Sequence, residues 1–253
     1  DREMTIAELR GLIEEQKRFI SADVLKPLGM DYRKPVAETG FLLQRDETGD
    51  VENSNLGPLV ADAIHSYVNR HVEGGSDLSV VAVGVIRDNI VPGVQTAPDI
   101  FRIMSMGSGN DNVPGYPLSK CYVTGRELKN ILEVLVMAGK SAPSNYCYYS
   151  GIRAGYDPGK GFLRKIRKIE VIGSDGSVRE VSFSKKDQAL WSVVANSYML
   201  ELVGTIKKMS KGLINVVPKD AAGNPVTDMK TAVMDFDKNK PGVQEGKEWL
   251  AIA

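Results

Sequence analysis

The sequence has very few of the side chains that bind catalytic metals or assist a nucleophile. It contains two histidines, His65 and His71, and two cysteines in 253 residues. Both histidines fall in one predicted helix at a spacing of six, which does not place them on the same face. A two-metal phosphoesterase site needs several His, Asp and Asn ligands around ions about 4 Å apart. We therefore expect no catalytic residue, no metal site and no cofactor in this chain.

Net charge and long apolar runs are also missing. The 32 basic and 32 acidic side chains cancel, which gives no electrostatic reason to expect a nucleic acid or an anionic membrane as partner. No apolar run approaches the ~20 residues that span a bilayer. The first residues do not form a secretory signal, so the chain begins as though cut from something longer. These absences predict no nucleic-acid partner and no membrane span.

The two cysteines leave two possibilities open. Cys121 and Cys147 lie in two segments predicted as strands. A disulfide between them would suit an oxidising compartment. The alternative is two buried free thiols, because the sequence does not tell whether their Cα atoms come within ~7 Å.

Capping boxes and hydrophobic periodicity predict several helices, and short apolar segments between them predict strands. Thr5 to Glu8 and Thr124 to Glu127 each form a capping box ahead of a helical apolar pattern. Further strands are predicted at 35–44, 118–123, 162–172, 177–183 and 190–196, and further helices at 197–211, 227–236 and 244–253. The mixed order predicts an α+β fold, a mixed β-sheet flanked by helices.

Residues 52–87 carry the strongest pattern in the chain. One helical face is apolar through Leu56, Leu59, Val60, Ala63, Ile64, Tyr67 and Val68. Gly74 and Gly75 end this helix, and the apolar run from Leu78 to Ile86 predicts a strand covered on both faces. Arg87 is the first charge after that strand, at the end where open sheets bind ligands.

The start of this stretch resembles a known family. Glu-Asn-Ser-Asn-Leu-Gly-Pro-Leu-Val-Ala-Asp-Ala, residues 52–63, is similar to the Glu-x-Asn-Leu-Gly-Asn-Leu-x-x-Asp-Ala stretch that opens the C-terminal, substrate-binding domain of the 5'-nucleotidase and UDP-sugar hydrolase family. Three later segments keep the family's order: Val123 to Lys129, Tyr149 to Asp157 and Trp191 to Asn196. The resemblance covers about residues 36–203.

The resemblance implies a domain organisation and a set of partners. Residues 35–253 would form the C-terminal-like domain, and residues 1–34 would be a linker helix packed on it. In the family, the divalent metals and the catalytic histidine belong to a separate N-terminal metallophosphoesterase domain, which would be the partner of this chain. The ligand would be a nucleotide or sugar phosphate, and the location periplasmic or extracellular.

The resemblance also implies five substrate-binding residues. Arg87 agrees with the family's strand-end arginine, and Asn55 lies in the Asn-Leu-Gly motif. Met106 and Ile206 occupy the places of two aromatics that sandwich the base. Tyr116, in the irregular segment 107–117, is a candidate replacement for a missing ring. That segment is expected to be either mobile or fixed by a ligand.

Other family positions are altered. The asparagine before the strand-end arginine is Ala82, and the arginine ahead of the Asn-Leu-Gly helix is Glu52. Two functions therefore stay open. In the first, this is the substrate-recognition domain of a 5'-nucleotidase-like phosphoesterase that hydrolyses phosphoric monoesters. In the second, it is a degenerate, non-catalytic domain that acts in packing or partner binding. An ion pair between Arg87 and Asp88 or Glu52 would favour the second.

Overall fold

The structure, a computed structural model, describes residues 4–45, 50–203 and 214–253. The helices in these ranges are α1 Ile6–Phe19, α2 Leu56–His71, α3 Ala97–Phe101, α4 Gly125–Ser141 and α5 Ser197–Val203. The strands are β1 Pro35–Thr39, β2 Leu78–Ala82, β3 Gly93–Thr96, β4 Leu118–Thr124, β5 Cys147–Ser150, β6 Ile152–Tyr156, β7 Ile166–Ile172, β8 Val178–Glu180 and β9 Leu190–Asn196. The helices, together with strands that pair both parallel and antiparallel, confirm the predicted α+β class.

A four-stranded mixed sheet in the order β4-β9-β2-β5 is the centre of the fold. β2 pairs parallel with β9 and antiparallel with β5, and β4 pairs antiparallel with β9. Two smaller antiparallel sheets accompany it, β1-β3 and β6-β7-β8. The central strand β2 therefore has a paired neighbour on each side, as its apolar sequence predicts.

Each face of the central sheet has its own hydrophobic core. Val81 of β2 belongs to the core formed with α2, whereas Leu78 and Val80 belong to the core formed with α4. This division follows from the alternation of side chains along a strand. The helices α2 and α4 consequently lie on opposite faces of the sheet, and the capping box predicted at Thr124 begins α4.

The Asn-Leu-Gly motif has an architectural role at the start of α2. The Asn55 side chain accepts a hydrogen bond from Gln44 N (2.6 Å) and donates one to Leu42 O (3.0 Å). Ser54 Oγ accepts from the Gly57 amide at 2.9 Å. A Cβ at Gly57 would overlap the ring of Tyr148. The glycine therefore allows β5 to pack closely against α2.

Some predicted strands are shorter in the structure. β2 ends at Ala82 rather than Ile86, because residues 83–85 form a 3-10 turn. The predicted strand 35–44 is β1 followed by a single bridge between Leu43 and Ile90. Of the predicted strand 177–183, residues 178–180 form β8 on β7, and the Val181 amide adds one hydrogen bond to Ile169 O of β7 at 2.9 Å.

The two predicted C-terminal helices are wrong. Residues 227–236 contain a 3-10 turn at Met229–Ala232, and 244–253 contain another at Glu248–Ala251. Bridges between Ser119 and Val233, and between Asp235 and Glu245, hold these segments extended. Pairing with β4 thus overrides the local helical spacing. The predicted helix 197–211 is α5 through Val203, and its remainder lies outside the described residues.

The first helix buries none of its side chains. Its capping box at Thr5 is present, but α1 has no buried residue. Ile6 is 71% exposed and Phe19 is 55% exposed. The residues after α1, such as Leu25, do reach the core. The organisation into a linker helix, residues 1–34, packed on a domain of residues 35–253 stays a prediction. None of the described helices is both long and apolar enough to cross a membrane.

Both cysteines are buried free thiols. Cys121 lies on β4 and Cys147 on β5, which are opposite edges of the four-stranded sheet. Three strand spacings separate them, about 14 Å in total. A disulfide needs Cα atoms within about 7 Å, so the free-thiol alternative is confirmed.

We expect Gly57→Ala to destabilise the protein by about 1–3 kcal/mol, because overpacking forces a shift of buried neighbours. Tyr148 cannot move easily, since its hydroxyl donates to Val51 O at 2.8 Å. Gly11→Ala in α1 is the matched control: it meets no atom within 4 Å, and we expect it to be neutral or stabilising by up to about 1 kcal/mol. Urea unfolding of both variants measures the difference, and equal stabilities would contradict this packing.

Candidate functional site

A cavity of about 490 Å³ opens beside the carboxyl end of β2. Its lining is mostly apolar and comes from the sheet, α4 and α5: Val80, Ala82, Gly84, Val85, Met106, Cys121, Ile131, Leu135, Ala138, Ser144, Asn145, Cys147, Val193, Ala195, Tyr198, Met199, Leu200 and Val203. Small-molecule sites are typically concave, apolar and of this size. The cavity is therefore the candidate ligand site.

The cavity lies on one face of the central sheet. Val80 and Val193 line it from β2 and β9, and Ile131 lines it from α4. The same residues belong to the core on the α4 face. The polar lining includes Gly84 in the turn after β2, and Ser144 and Asn145 in the turn after α4. A ligand would thus meet apolar walls and a few polar groups.

The two thiols line this cavity but are not reactive groups. Burial raises the pKa of Cys121 to about 12 and that of Cys147 to about 12. Both are therefore protonated at neutral pH, and the thiolate is the nucleophilic form. They contribute apolar surface to the cavity.

Arg87 is exposed at the edge of the cavity. Its Nη1 donates to Gly84 O (2.9 Å), a residue that lines the cavity. Asp88 pairs instead with Arg102 at 3.1 Å. In the described part of the chain Arg87 forms no ion pair with Asp88 or Glu52. Most of its five N–H groups are therefore available to a ligand.

A second guanidinium lies next to this turn. Arg45 Nη1 donates to Ile86 O at 2.7 Å, and the Arg45 amide donates to Asn89 Oδ1 at 2.8 Å. The Nε of Arg45 is buried and has no hydrogen-bond partner among the described residues. The turn that carries Arg87 is thus held by another cation.

Tyrosine rings lie beside Met106. Tyr116 stacks on Tyr198 with ring centroids 5.6 Å apart and an interplanar angle of 17°. A Cβ at Gly107 would overlap the Tyr116 ring, so this ring packs directly over the residue after Met106. Tyr198 and Met106 both line the cavity. An aromatic face is therefore supplied from α5 beside Met106.

The irregular segment 107–117 is held by buried charges from the C-terminal residues. Lys247 is completely buried, and its Nζ donates to Asp111 Oδ1 (2.7 Å) and Glu245 Oε2 (2.6 Å). Glu245 Oε1 accepts from Asn110 N (2.9 Å). Trp249 Nε1 donates to Pro114 O at 3.0 Å. These protein contacts fix the segment that carries Tyr116.

Glu248 is a buried carboxyl group next to the tyrosine pair. Its Oε2 accepts from Asn196 Nδ2 (2.7 Å), whereas its Oε1 is buried without a partner in the described ranges. Burial raises the pKa of Glu248 to about 8, and the hydrogen bond from Asn196 opposes the rise. Burial also raises the pKa of Tyr116, with Tyr198 and Glu248 adding to it. The carboxyl is therefore largely protonated at neutral pH.

The structure brings some of the predicted site residues together and not others. Arg87, Met106 and Tyr116 lie around the cavity edge. Asn55 lines a separate surface depression and uses its side chain to hold residues 42–44. Ile206 lies outside the described residues.

Three residues that position the site were not predicted. Tyr198 lies near the start of a predicted helix, Arg45 precedes a polar turn, and Lys247 lies in a segment predicted as helical. None has a local motif. Their roles depend on contacts over 41 to 136 residues of sequence. A lysine between two glutamates in 245–248 was the only available signal.

Side chains suited to metal or covalent chemistry do not gather here. Within the described ranges, no group of three or more His, Cys, Asp or Glu residues is placed to hold a metal ion. His65 lies near Ser150, with Nδ1 to Oγ 3.4 Å, and its Nε2 is 3.0 Å from Ser76 O. Neither residue lines the cavity. His71 is exposed near the end of α2 and its Nδ1 lies 2.9 Å from Tyr67 O.

Comparison with known protein families finds one match. Residues 35–209 match the family described as 5'-nucleotidase, C-terminal domain. This match includes β2, the turn before Arg87, Met106 and α5, and it ends before the C-terminal residues that hold segment 107–117. No curated protein sequence matches the chain significantly.

Solved structures with this fold include two nucleotidases. A 5'-nucleotidase precursor from Thermus thermophilus is 19% identical with a TM-score of 0.54, over 94% of this chain and 42% of that one. An NAD nucleotidase from Haemophilus influenzae is 17% identical with a TM-score of 0.55, over 84% of this chain and 35% of that one. The chain spans less than half the length of both. The two TM-scores show a shared fold, and identities below 25% show no more than that.

We expect Glu248→Gln to change how stability depends on pH. The pKa of Glu248 in the folded state lies above the ordinary value of 4.5. The stability that the protonated carboxyl group contributes is therefore present in full below pH 4.5 and is lost as the pH rises towards 8. The glutamine variant cannot ionise and avoids this loss. Between pH 5 and 8, the free energy of unfolding of the variant, measured with urea, should rise relative to that of the wild type by roughly 2–4 kcal/mol in total.

The exposed Glu201 on α5 provides the control. Glu201→Gln makes the same chemical change at the surface, and we expect it to alter the unfolding free energy by less than about 0.5 kcal/mol. A constant difference between Glu248→Gln and the wild type across this pH range would contradict the assignment of a buried, protonated carboxyl.

Proposed function

Because the chain belongs to the 5'-nucleotidase C-terminal domain family, we propose that it is the substrate-recognition domain of a 5'-nucleotidase-like phosphoesterase. It holds a phosphorylated ligand, a nucleotide or sugar phosphate, for hydrolysis by an N-terminal metallophosphoesterase domain. The observation that carries this proposal is the cavity at the carboxyl end of β2. It lies where open sheets bind ligands, and Arg87 lies at its edge without an ion-pair partner in the described residues.

The proposal assigns ligand binding to this chain and metal-dependent hydrolysis to a second domain, and the side chains present here are consistent with that. The described residues offer apolar walls, one lining aromatic ring and arginines, which suit binding and orientation. A two-metal hydrolysis needs ligands for both ions, and these would be supplied by the partner domain together with its divalent metals. The proposed location, periplasmic or extracellular, follows from the family resemblance.

The polar groups suit the phosphate end of a ligand. A guanidinium binds phosphate through paired N–H donors. Arg87 uses one N–H group on Gly84 O and is otherwise exposed. The neighbouring Arg45 guanidinium adds positive charge at the same turn. An anionic ligand would therefore be attracted to this edge of the cavity.

The apolar part of the ligand would contact Met106 and Tyr198. Stacking on an aromatic side chain contributes about 1–3 kcal/mol per base. Tyr198 is 45% exposed, and Tyr116 stacks on it. This arrangement supplies a ring face in place of the aromatic that Met106 replaces.

A second function, a non-catalytic domain for packing or partner binding, is favoured by two observations. Ala82 lines the cavity where the family has an asparagine, so a polar contact to the ligand is lost. The apolar side chains of α1, such as Ile6 and Leu9, are exposed and suited to burial against another protein surface. Ligand binding distinguishes the two functions.

We expect Arg87→Ala to weaken AMP binding by about tenfold or more, because a hydrogen-bonded charge pair to phosphate is lost. Adenosine has no phosphate and its binding should change much less. Isothermal titration of the purified chain with AMP, adenosine and UDP-glucose measures both effects. Arg70→Ala is the matched control, an exposed arginine on α2 that also donates to a nearby carbonyl. If none of the three ligands binds the wild type, nucleotide recognition by this chain is ruled out.

We expect Tyr198→Leu to weaken the binding of the nucleoside-containing ligands by roughly tenfold, because a ring face is replaced by an aliphatic side chain. Tyr198→Phe keeps the ring and should keep most of the affinity. The same titrations test this pair. Equal affinities of the leucine and phenylalanine variants would show that Tyr198 does not stack on the ligand.

A further inference from the structure

A polar depression of about 340 Å³ lies at the start of α4. It lies towards the opposite end of the central sheet from the turn that carries Arg87. β4 runs antiparallel to β9 and β9 parallel to β2, so the carboxyl end of β4, where α4 begins, lies at the amino end of β2. Its lining residues are Arg126, Lys129, Asn130, Leu163, Phe183, Lys185, Ile214 and Asn215.

The lining of this depression is cationic. It contains three cations, Arg126, Lys129 and Lys185, two side-chain amides and no carboxylate among the described residues. Arg126, Lys129 and Asn130 stand at helical spacings of three and four, so they share one face of α4. Arg126 and Lys185 form no ion pair in the parts of the chain that the structure describes. The positive charge here is therefore not neutralised by its described surroundings.

Lys129 is held rigidly in this depression. Its Nζ donates to Leu163 O at 2.5 Å and lies 5.8 Å from the centroid of the Phe183 ring. Leu163 has a φ of +62°, a conformation that costs energy in a residue other than glycine and persists only where the surroundings hold it. The Lys129 ammonium is thus positioned in advance of any ligand.

The nearest carboxylate neutralises Lys129 only in part. Glu133 Oε1 lies 3.9 Å from Lys129 Nζ and already accepts a hydrogen bond from Ile166 N at 2.8 Å. Burial lowers the pKa of Lys129, Glu133 opposes this, and the charges of Arg126 and Arg167 lower it further. An anion in the depression would relieve this repulsion between cations.

We propose that this depression is a binding site for an oxyanion of the phosphate class. The Arg126 guanidinium provides paired donors, Lys129 and Lys185 provide ammonium groups, and Asn130 and Asn215 provide amide donors. Arginine and lysine together are the usual protein partners of phosphate. The site is independent of the ligand cavity, and nothing in its lining requires the proposed substrate.

The experiment uses the whole chain and inorganic phosphate, with sodium chloride at matched ionic strength to remove general screening. Isothermal titration and amide NMR shifts should show saturable phosphate binding, with shifts at Asn130 and Asn215. Arg126→Gln with Lys185→Gln removes two exposed cations without touching the core. We expect this double variant to weaken phosphate binding by at least about tenfold.

Two controls separate binding at this site from a general effect of net charge and from binding in the ligand cavity. Arg70→Gln with Lys230→Gln removes the same charge from exposed positions elsewhere and should retain phosphate binding. Arg87→Ala should retain it as well, so failure of the ligand cavity and failure of this site are distinguishable. Equal weakening by both double variants, loss of binding in Arg87→Ala, or a chloride response equal to that of phosphate would overturn the proposal.

Discussion

The buried ammonium of Lys247 constrains the edge of the candidate site more than any other single group. A charge that is completely removed from water must be paired, and losing one partner of such a pair typically costs about 3–5 kcal/mol. Lys247 pairs with Asp111 and Glu245, so the irregular segment 107–117 is tied to the C-terminal residues. The positions of Met106 and Tyr116 depend on this tie. The family match ends at residue 209, whereas Glu245 and Lys247, which form these ion pairs, lie beyond it.

The central sheet divides the molecule into an architectural face and a ligand face. α2 packs on the first face, with Leu56, Val60 and Val68 fully buried. α4 and α5 cover the second and leave the cavity between them and the sheet. The Asn-Leu-Gly motif that identifies the family belongs to the first face. In this chain Asn55 and Gly57 position loops and strands, whereas Ala82 and Met106, two of the substituted positions, line the cavity on the ligand face.

Elements with strong local signals could be predicted from the sequence. The apolar stripe of α2, the capping box of α4 and the apolar run of β9 each specify their own element, and the structure contains all three. The extended segment around Val233 could not be predicted, because its partner on β4, Ser119, is more than one hundred residues away in the sequence. The apolar residues in this segment are spaced as in a helix, but the bridge to the distant strand β4 holds the segment extended.

The sequence marked part of the candidate site. Arg87 and Met106 follow from motif positions and Tyr116 from the irregular segment, and all three lie at the cavity edge; their roles in binding stay predictions. Tyr198 and Arg45 have no motif and enter the site through tertiary contacts: a ring stack and a hydrogen bond to a main-chain carbonyl. Contacts of this kind between distant segments leave no periodic trace in a single sequence.

The two tryptophans lie in different cores. Trp249 packs edge to face with Phe101 on the α2 side, with ring centroids 5.6 Å apart. Trp191 lies in the α4 core under the guanidinium of Arg179, which is 4.9 Å from its ring. Each indole therefore gives an optical signal from one side of the sheet. Single-tryptophan versions of this chain would make the melting of the two layers separately visible by fluorescence, without an added label.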